Sequence, residues 1–260
     1  MDNFEPKIIG ILCDEGAYHA LDEVGETRIL YPSNIMIMRT QGTSYIATST
    51  IIELFIQGVD GIFIGDCKVD DFECFLDDYY DVKIFIKILK KLMKYMGLNE
   101  DRLYFNYFSG SDVGRIVSEI SDFTDEIKEI GPIATSMENP DISTLESLYA
   151  AKCILQNFKL KAVIGKRLEL ITSGNEYDSK KDQRDIDDLL NKIIDDEYKR
   201  IKILLLTWKK PQSVKDLALK LKIPKQMVLE HIVTLTDRGF IIQEKIVDHT
   251  KLYKADIQGM

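Results

Sequence analysis

Short apolar runs alternate with amphipathic stretches through the first half of the chain. Lys7–Cys13 (KIIGILC), Asn34–Thr40 (NIMIMRT), Gly61–Cys67 (GIFIGDC) and Leu103–Ser109 (LYFNYFS) read as strands. Helical segments fall between and after them: Ala17–Val24, Thr48–Gln57 closed by Gly58, Asp81–Met96, and Ser111–Ile130 stopped by Gly131-Pro132. The third helix is the most regular, since Ile84, Phe85, Ile88, Leu89, Leu92 and Met96 recur at helical spacing and make one apolar face. Apolar strands separated by helices predict an α/β fold with a parallel sheet covered on both faces. Right-handed crossovers with one change of winding direction give a flavodoxin-like four-stranded sheet of order 2-1-3-4. Strands one and three are then neighbours, and ligands of such sheets bind beyond the carboxyl ends that flank this switch point. Cys13 ends strand one and Cys67 ends strand three, so two thiols are expected to face each other there.

The second half changes character. Ile133–Ser143, with Pro140, reads as a linker, Thr144–Asn157 as a helix, and the polar stretch Asn175–Asp188 as an exposed connection. A helix over Asp195–Trp208 carries Ile201, Leu204, Leu205 and Trp208. Ser213 and Asp216 then form a capping box opening a helix over Val214–Lys222. Pro224 suits the first position of a further helix ending at Asp237 before Gly239. Two short runs, Phe240–Lys245 and Lys251–Lys254, flank a hairpin tip at Asp248-His249-Thr250. Three helices and a hairpin in this order predict a winged helix-turn-helix. The expected organisation is an α/β domain over 1–132, a linker and helical extension over 133–192, and the winged helix over 193–260.

Charge sharpens that division. The formal net charge is −9, but residues 201–260 hold eleven Lys/Arg against six Asp/Glu, a balance of +5 that leaves −14 for residues 1–200. An acidic body argues against generic nucleic-acid binding, while a mildly basic winged helix keeps DNA open as a partner. Lys225, Gln226 and Arg238 on the recognition helix, with Lys245, Lys251 and Lys254 on the wing, are the residues expected to meet a duplex. Glu230 and Asp237 on the same helix oppose that, and a protein-docking role for the winged helix stands beside it. Lys83, Lys87, Lys90, Lys91 and Lys94 line the third helix opposite its apolar face, a pattern expected of a solvated surface. No basic start followed by an apolar core marks a signal peptide, and no apolar run has membrane-spanning length, so a cytoplasmic protein with no membrane partner is expected.

Four scattered cysteines are too few and too far apart for a disulfide framework. The switch-point pair fits a metal ion, a cluster with a non-thiolate ligand from Asp14, Asp66 or His19, a redox dithiol, or the remnant of a lost site. Cys74, in DDFECFLDDYYD, reads either as a third ligand or as a thiol buried beside Phe72 and Phe75, and Cys153 as a helix-core residue. No glycine-rich nucleotide signature occurs, and the three histidines His19, His231 and His249 fall in separate elements without zinc-ligand spacing. Nothing indicates catalysis by this chain alone.

KIIGILC, YPSNIMIMR, FIQGVDGIFIGDC, DDYYDVK with its helix, and SDFTDEIKEIGP follow one order and spacing. From Lys7 to Pro132 the chain resembles the iron-sulfur (delta, D) subunit of methyl-viologen-reducing hydrogenases. The long form of that family also resembles it in a helical extension and a C-terminal winged helix. The resemblance implies a two-iron two-sulfur cluster and electron transfer between a hydrogenase or formate dehydrogenase and a heterodisulfide-reductase-type flavin subunit. It also implies cluster ligands, and these are partly missing. Cys13 matches the first cysteine of the family's first loop, whereas Gly16 stands at the second; Gly42 replaces the cysteine after strand two. Cys67 matches the first of the pair after strand three, Phe72 stands at the second, and Cys74 follows two residues later. The expected function is an electron-transfer subunit of a hydrogenase/heterodisulfide reductase-type complex with a degenerate cluster site built on Cys13, Cys67 and Cys74. The alternative is a transcriptional regulator with a sensing α/β domain and a DNA-binding winged helix.

Overall fold

A computed structural model describes residues 4–43, 46, 48–68, 76–133, 142–155, 179–247 and 249–256, in two compact units, Met1–Gln183 and Arg184–Met260. Cys74 and the side chain of Cys153 lie outside the described residues.

In the first unit, strands β1 (Ile8–Cys13), β2 (Ile35–Thr40), β3 (Gly61–Cys67) and β4 (Leu103–Phe108) form one parallel sheet in the order β2-β1-β3-β4. This is the flavodoxin-like order expected from the alternating pattern. Leu12 pairs across β1 with Gly65 of β3, and Cys67 pairs with Phe108 of β4, so Cys13 and Cys67 end adjacent strands on the same edge. Successive strand residues face opposite sides of a sheet. Phe63 accordingly packs with α1 (His19–Glu26) and α4 (Val113–Ile130) in a core that includes Leu12, Val24, Phe108, Ile116, Ile120 and Phe123. Its neighbour Ile64 lines a small apolar pocket with Ile51 of α2 (Thr48–Ile56) and Ile86 and Leu89 of α3 (Leu76–Met96). A further helix, α5 (Ile142–Leu155), packs against α2 and α3, with Lys152 ion-paired to Glu53. Helix α5 thus belongs to the first unit.

The bottom of the sheet is tied by one buried aspartate. Asp60 Oδ2 accepts the Lys7 N–H (2.8 Å) and Oδ1 accepts the Ile133 N–H (2.8 Å), while the Arg102 guanidinium donates to the Asp60 carbonyl (2.9 Å). Three chain segments are pinned there by groups that would be costly to bury unpaired.

The second unit contains the remainder of α6 (Ser179–Lys209), then β5 (Gln212–Ser213), α7 (Val214–Leu221), α8 (Lys225–Asp237), β6 (Ile241–Val247) and β7 (Thr250–Ala255). The strands form an antiparallel sheet of order β5-β7-β6 over a core of Ile203, Leu217, Val228, Ile232, Leu235 and Ile241. The capping box is present: Ser213 Oγ accepts the Asp216 N–H (3.1 Å) and Asp216 returns a carboxylate to the Ser213 N–H (3.4 Å). Lys222 closes α7 in the left-handed region (φ 55°), and Pro224 is the N-cap of α8 rather than its first residue.

Helix α6 starts well before the position the sequence reading gave it. Ser179–Asp188, expected as part of an exposed connection, belongs to the 31-residue helix α6. Lys, Gln and Arg are good helix formers, so a polar stretch is compatible with a helix. The two compact units divide after Gln183. No helix among the described residues is long and apolar enough to cross a membrane.

Candidate functional site

The carboxyl edge of β1 and β3 gathers three potential ligands. The Cys13 and Cys67 sulfurs and an Asp66 carboxylate oxygen all lie within 4.8 Å of one another, and all three residues are buried. Cys13 is a free thiol; Cys67 is disulfide-bonded, and not to Cys13. Asp66 directly precedes Cys67, and its side chain is held from two directions. The Thr43 hydroxyl donates to Oδ2 (2.6 Å) and the Cys67 N–H donates to Oδ1 (3.0 Å). Burial raises the Asp66 carboxyl above its usual range, and these hydrogen bonds oppose the rise. Burial, then the neighbouring Asp66 charge, likewise raises the Cys13 thiol, which donates to the Gln41 carbonyl (3.4 Å).

A single π-type turn, Asp14–Tyr18, carries the chain from β1 into α1 and sets Gly16 hard against β3 and β4. A Cβ at Gly16 would lie 2.5 Å from the Phe108 carbonyl oxygen, 2.8 Å from Cys67 Cα and 3.0 Å from Cys67 Cβ. No side chain fits there without backbone movement. The glycine therefore does more than lack a thiol, since its close approach seals one side of the site.

Asp14, expected as a possible fourth ligand, pairs outward with Arg39 (2.6 Å), and His19 is exposed, beside Glu23 (4.0 Å). Neither joins the triangle. Gly42 accepts the Thr40 hydroxyl through its carbonyl (2.9 Å). Thr43, which sequence reasoning did not single out, supplies the firmest support of Asp66. Its only sequence signal was a hydroxyl in the TQGTS loop following β2. In the second unit Lys225, Lys245 and Lys251 are exposed, Gln226 donates to Glu230 (3.3 Å), and Lys254 pairs with Glu244 (3.3 Å). Arg238 is paired with the buried Glu197 (3.3 Å), which also holds Arg200. On α3, Lys83, Lys87 and Lys94 are exposed, whereas Lys90 and Lys91 are half-buried.

A two-iron two-sulfur cluster takes four ligands, usually thiolates, shared between two irons. The described residues do not fit one. Positions 16 and 42 carry no thiol, position 16 has no room for a side chain, and the three atoms that do converge span no more than one metal's coordination sphere.

Fold and site together define a flavodoxin-like α/β protein with a buried sulfur-and-carboxylate site at its switch point. Residues 8–131 match the family described as methyl-viologen-reducing hydrogenase, delta subunit. The iron-sulfur D subunit of the F420-non-reducing vhc hydrogenase of Methanococcus voltae is 32% identical over 139 residues, 53% of this chain and 94% of that protein. The iron-sulfur D subunit of the F420-non-reducing hydrogenase of Archaeoglobus profundus is 28% identical over 131 residues, 50% of this chain and 95% of that protein. The A subunit of the ferredoxin:CoB-CoM heterodisulfide reductase of Methanosarcina mazei is 31% identical over 140 residues, 54% of this chain but 17% of that protein. The chain belongs to the methyl-viologen-reducing hydrogenase delta subunit family. It spans nearly all of the hydrogenase D subunits and about a sixth of the length of the reductase protein.

Proposed function

We propose that this protein is a non-catalytic subunit of a hydrogenase/heterodisulfide reductase-type complex, occupying the position of the electron-transfer delta subunit with a degenerate cluster site. One observation carries the reading. The same stretch of sequence occurs as a separate hydrogenase D subunit and as a sixth of the heterodisulfide reductase A subunit. A module found both fused and free has a surface suited to that neighbour. The first unit brings its family-matching residues into the intact sheet that such docking needs, and any turnover belongs to the assembly.

The second unit is read here as a winged helix that docks protein. Leu229 and Val233, four residues apart on α8, are 46% and 50% exposed, and Glu230 stands between them. Apolar and acidic groups on that face suit a protein partner better than phosphates. A duplex-binding role is the second reading, favoured by the exposed Lys225, Lys245 and Lys251.

Anaerobic co-expression of the tagged chain with the heterodisulfide reductase A subunit and hydrogenase subunits from the same source tests the proposal. A stoichiometric complex on size exclusion is expected. Absence of any complex, together with salt-dependent duplex binding lost in Lys225→Ala/Lys251→Ala, would replace this reading with the regulator.

A further inference from the structure

The misfit at the switch point has a positive side. Cys13, Asp66 and Cys67 come from two adjacent strand ends, are buried, and converge within 4.8 Å. Tetrahedral zinc with Zn–S of about 2.3 Å sets neighbouring sulfurs ~3.8 Å apart, so a contraction of at most about 1 Å completes three corners. The carboxylate is already oriented by outer hydrogen bonds, from the Thr43 hydroxyl (2.6 Å) and the Cys67 N–H (3.0 Å). Ligating carboxylates are held this way in metal sites. The Gly16 backbone is pressed against Cys67 and the Phe108 carbonyl, so position 16 has no room for a side chain that would add a ligand.

We propose that this site binds one thiophilic divalent ion of zinc type through Cys13 Sγ, Cys67 Sγ and Asp66, in place of a binuclear cluster. Once Cys67 is reduced, two thiolates and a carboxylate form a mixed soft and hard set suited to such an ion. Binding requires Cys67 as a thiol. A dithiol reductant supplies two electrons and two protons and is itself oxidised to a disulfide, so the Cys67 S–S bond breaks and two thiols form; a phosphine does the same with water as proton source and becomes the phosphine oxide. The ion then displaces one proton each from Cys13 and Cys67. The inference does not depend on partner subunits, so a failed co-expression leaves it untouched.

The test uses the full chain, reduced with a phosphine under nitrogen and titrated with Co(II), then Zn(II). One cobalt per chain is expected, with tetrahedral d–d bands and thiolate-to-cobalt charge transfer, both abolished by excess zinc. Zinc should protect Cys13 and Cys67 from iodoacetamide, read by peptide mass spectrometry, which needs no variant. Asp66→Asn and Thr43→Val should each weaken cobalt binding about tenfold or more with unchanged circular dichroism. The proposal is overturned by a reduced, folded chain that shows neither cobalt spectrum nor thiol protection. It is equally overturned by two irons and two sulfides per chain after reconstitution.

Discussion

Gly16→Ala is the smallest change that probes how tightly the site is closed. The added Cβ meets the Phe108 carbonyl oxygen at 2.5 Å and Cys67 backbone at 2.8 Å, whereas ordinary contact begins near 3.4 Å. Neither obstacle is the end of a flexible side chain, so the β1–α1 turn or the ends of β3 and β4 must shift. Overpacking of this kind costs typically 1–3 kcal/mol, and the two backbone contacts put Gly16→Ala near about 3 kcal/mol. Against it, replacing a helical glycine by alanine contributes about 1 kcal/mol through propensity and the less free unfolded chain. The net loss is about 2 kcal/mol, or roughly 4–8 °C in Tm for a unit of this size. Gly16→Cys, which restores the family's cysteine, should lose at least as much and gain no iron. Thermal and urea unfolding by circular dichroism, in reducing buffer, reads both variants. An alanine variant as stable as the parent would refute the claim that the site is sealed by this backbone approach.

Further outcomes follow from the supporting structure. Asp60→Ala orphans the Lys7 and Ile133 N–H groups and should cost about 2–4 kcal/mol by urea unfolding; a loss under about 0.5 kcal/mol would show that the aspartate is not the tie described. Ser213→Ala removes the capping box at α7 and should cost about 1 kcal/mol in the second unit's transition, and no change would count against it. Burial, then the Arg200 charge, holds the His231 imidazole below its usual range, so the folded state favours the neutral ring while the unfolded chain protonates near pH 6.5. Its contribution is complete above that pH and is lost as pH falls below it; His231→Gln should flatten the dependence of the unfolding midpoint between pH 7.5 and 5.5. An unchanged slope in that variant would assign the dependence to other groups.

Much of this was legible from local pattern. GIFIGDC is a wholly buried strand whose ends coincide with Gly61 and Cys67, because a short run of small and branched apolar residues suits the middle of a parallel sheet. The placement of Cys13 beside Cys67 followed from topology alone. What escaped the sequence depends on distant contacts. Thr43 reaches Asp66 across 23 residues, and Arg238, read as a residue meeting a duplex, pairs with Glu197 across 41. Gly16 showed only a missing cysteine; that its backbone abuts the ends of β3 and β4 emerges once the Asp14–Tyr18 turn is built. The polar N-terminal part of α6 misled for another reason, since Lys, Gln and Arg favour a helix without marking one by apolar spacing.

Metal and acid-labile sulfide content, measured on the full chain purified without oxygen and kept reduced, tests the central claim most directly. The account predicts no acid-labile sulfide, at most one metal ion per chain, and loss of that ion in Cys13→Ser. About two irons and two sulfides per chain, with the visible spectrum of a binuclear cluster, would contradict it.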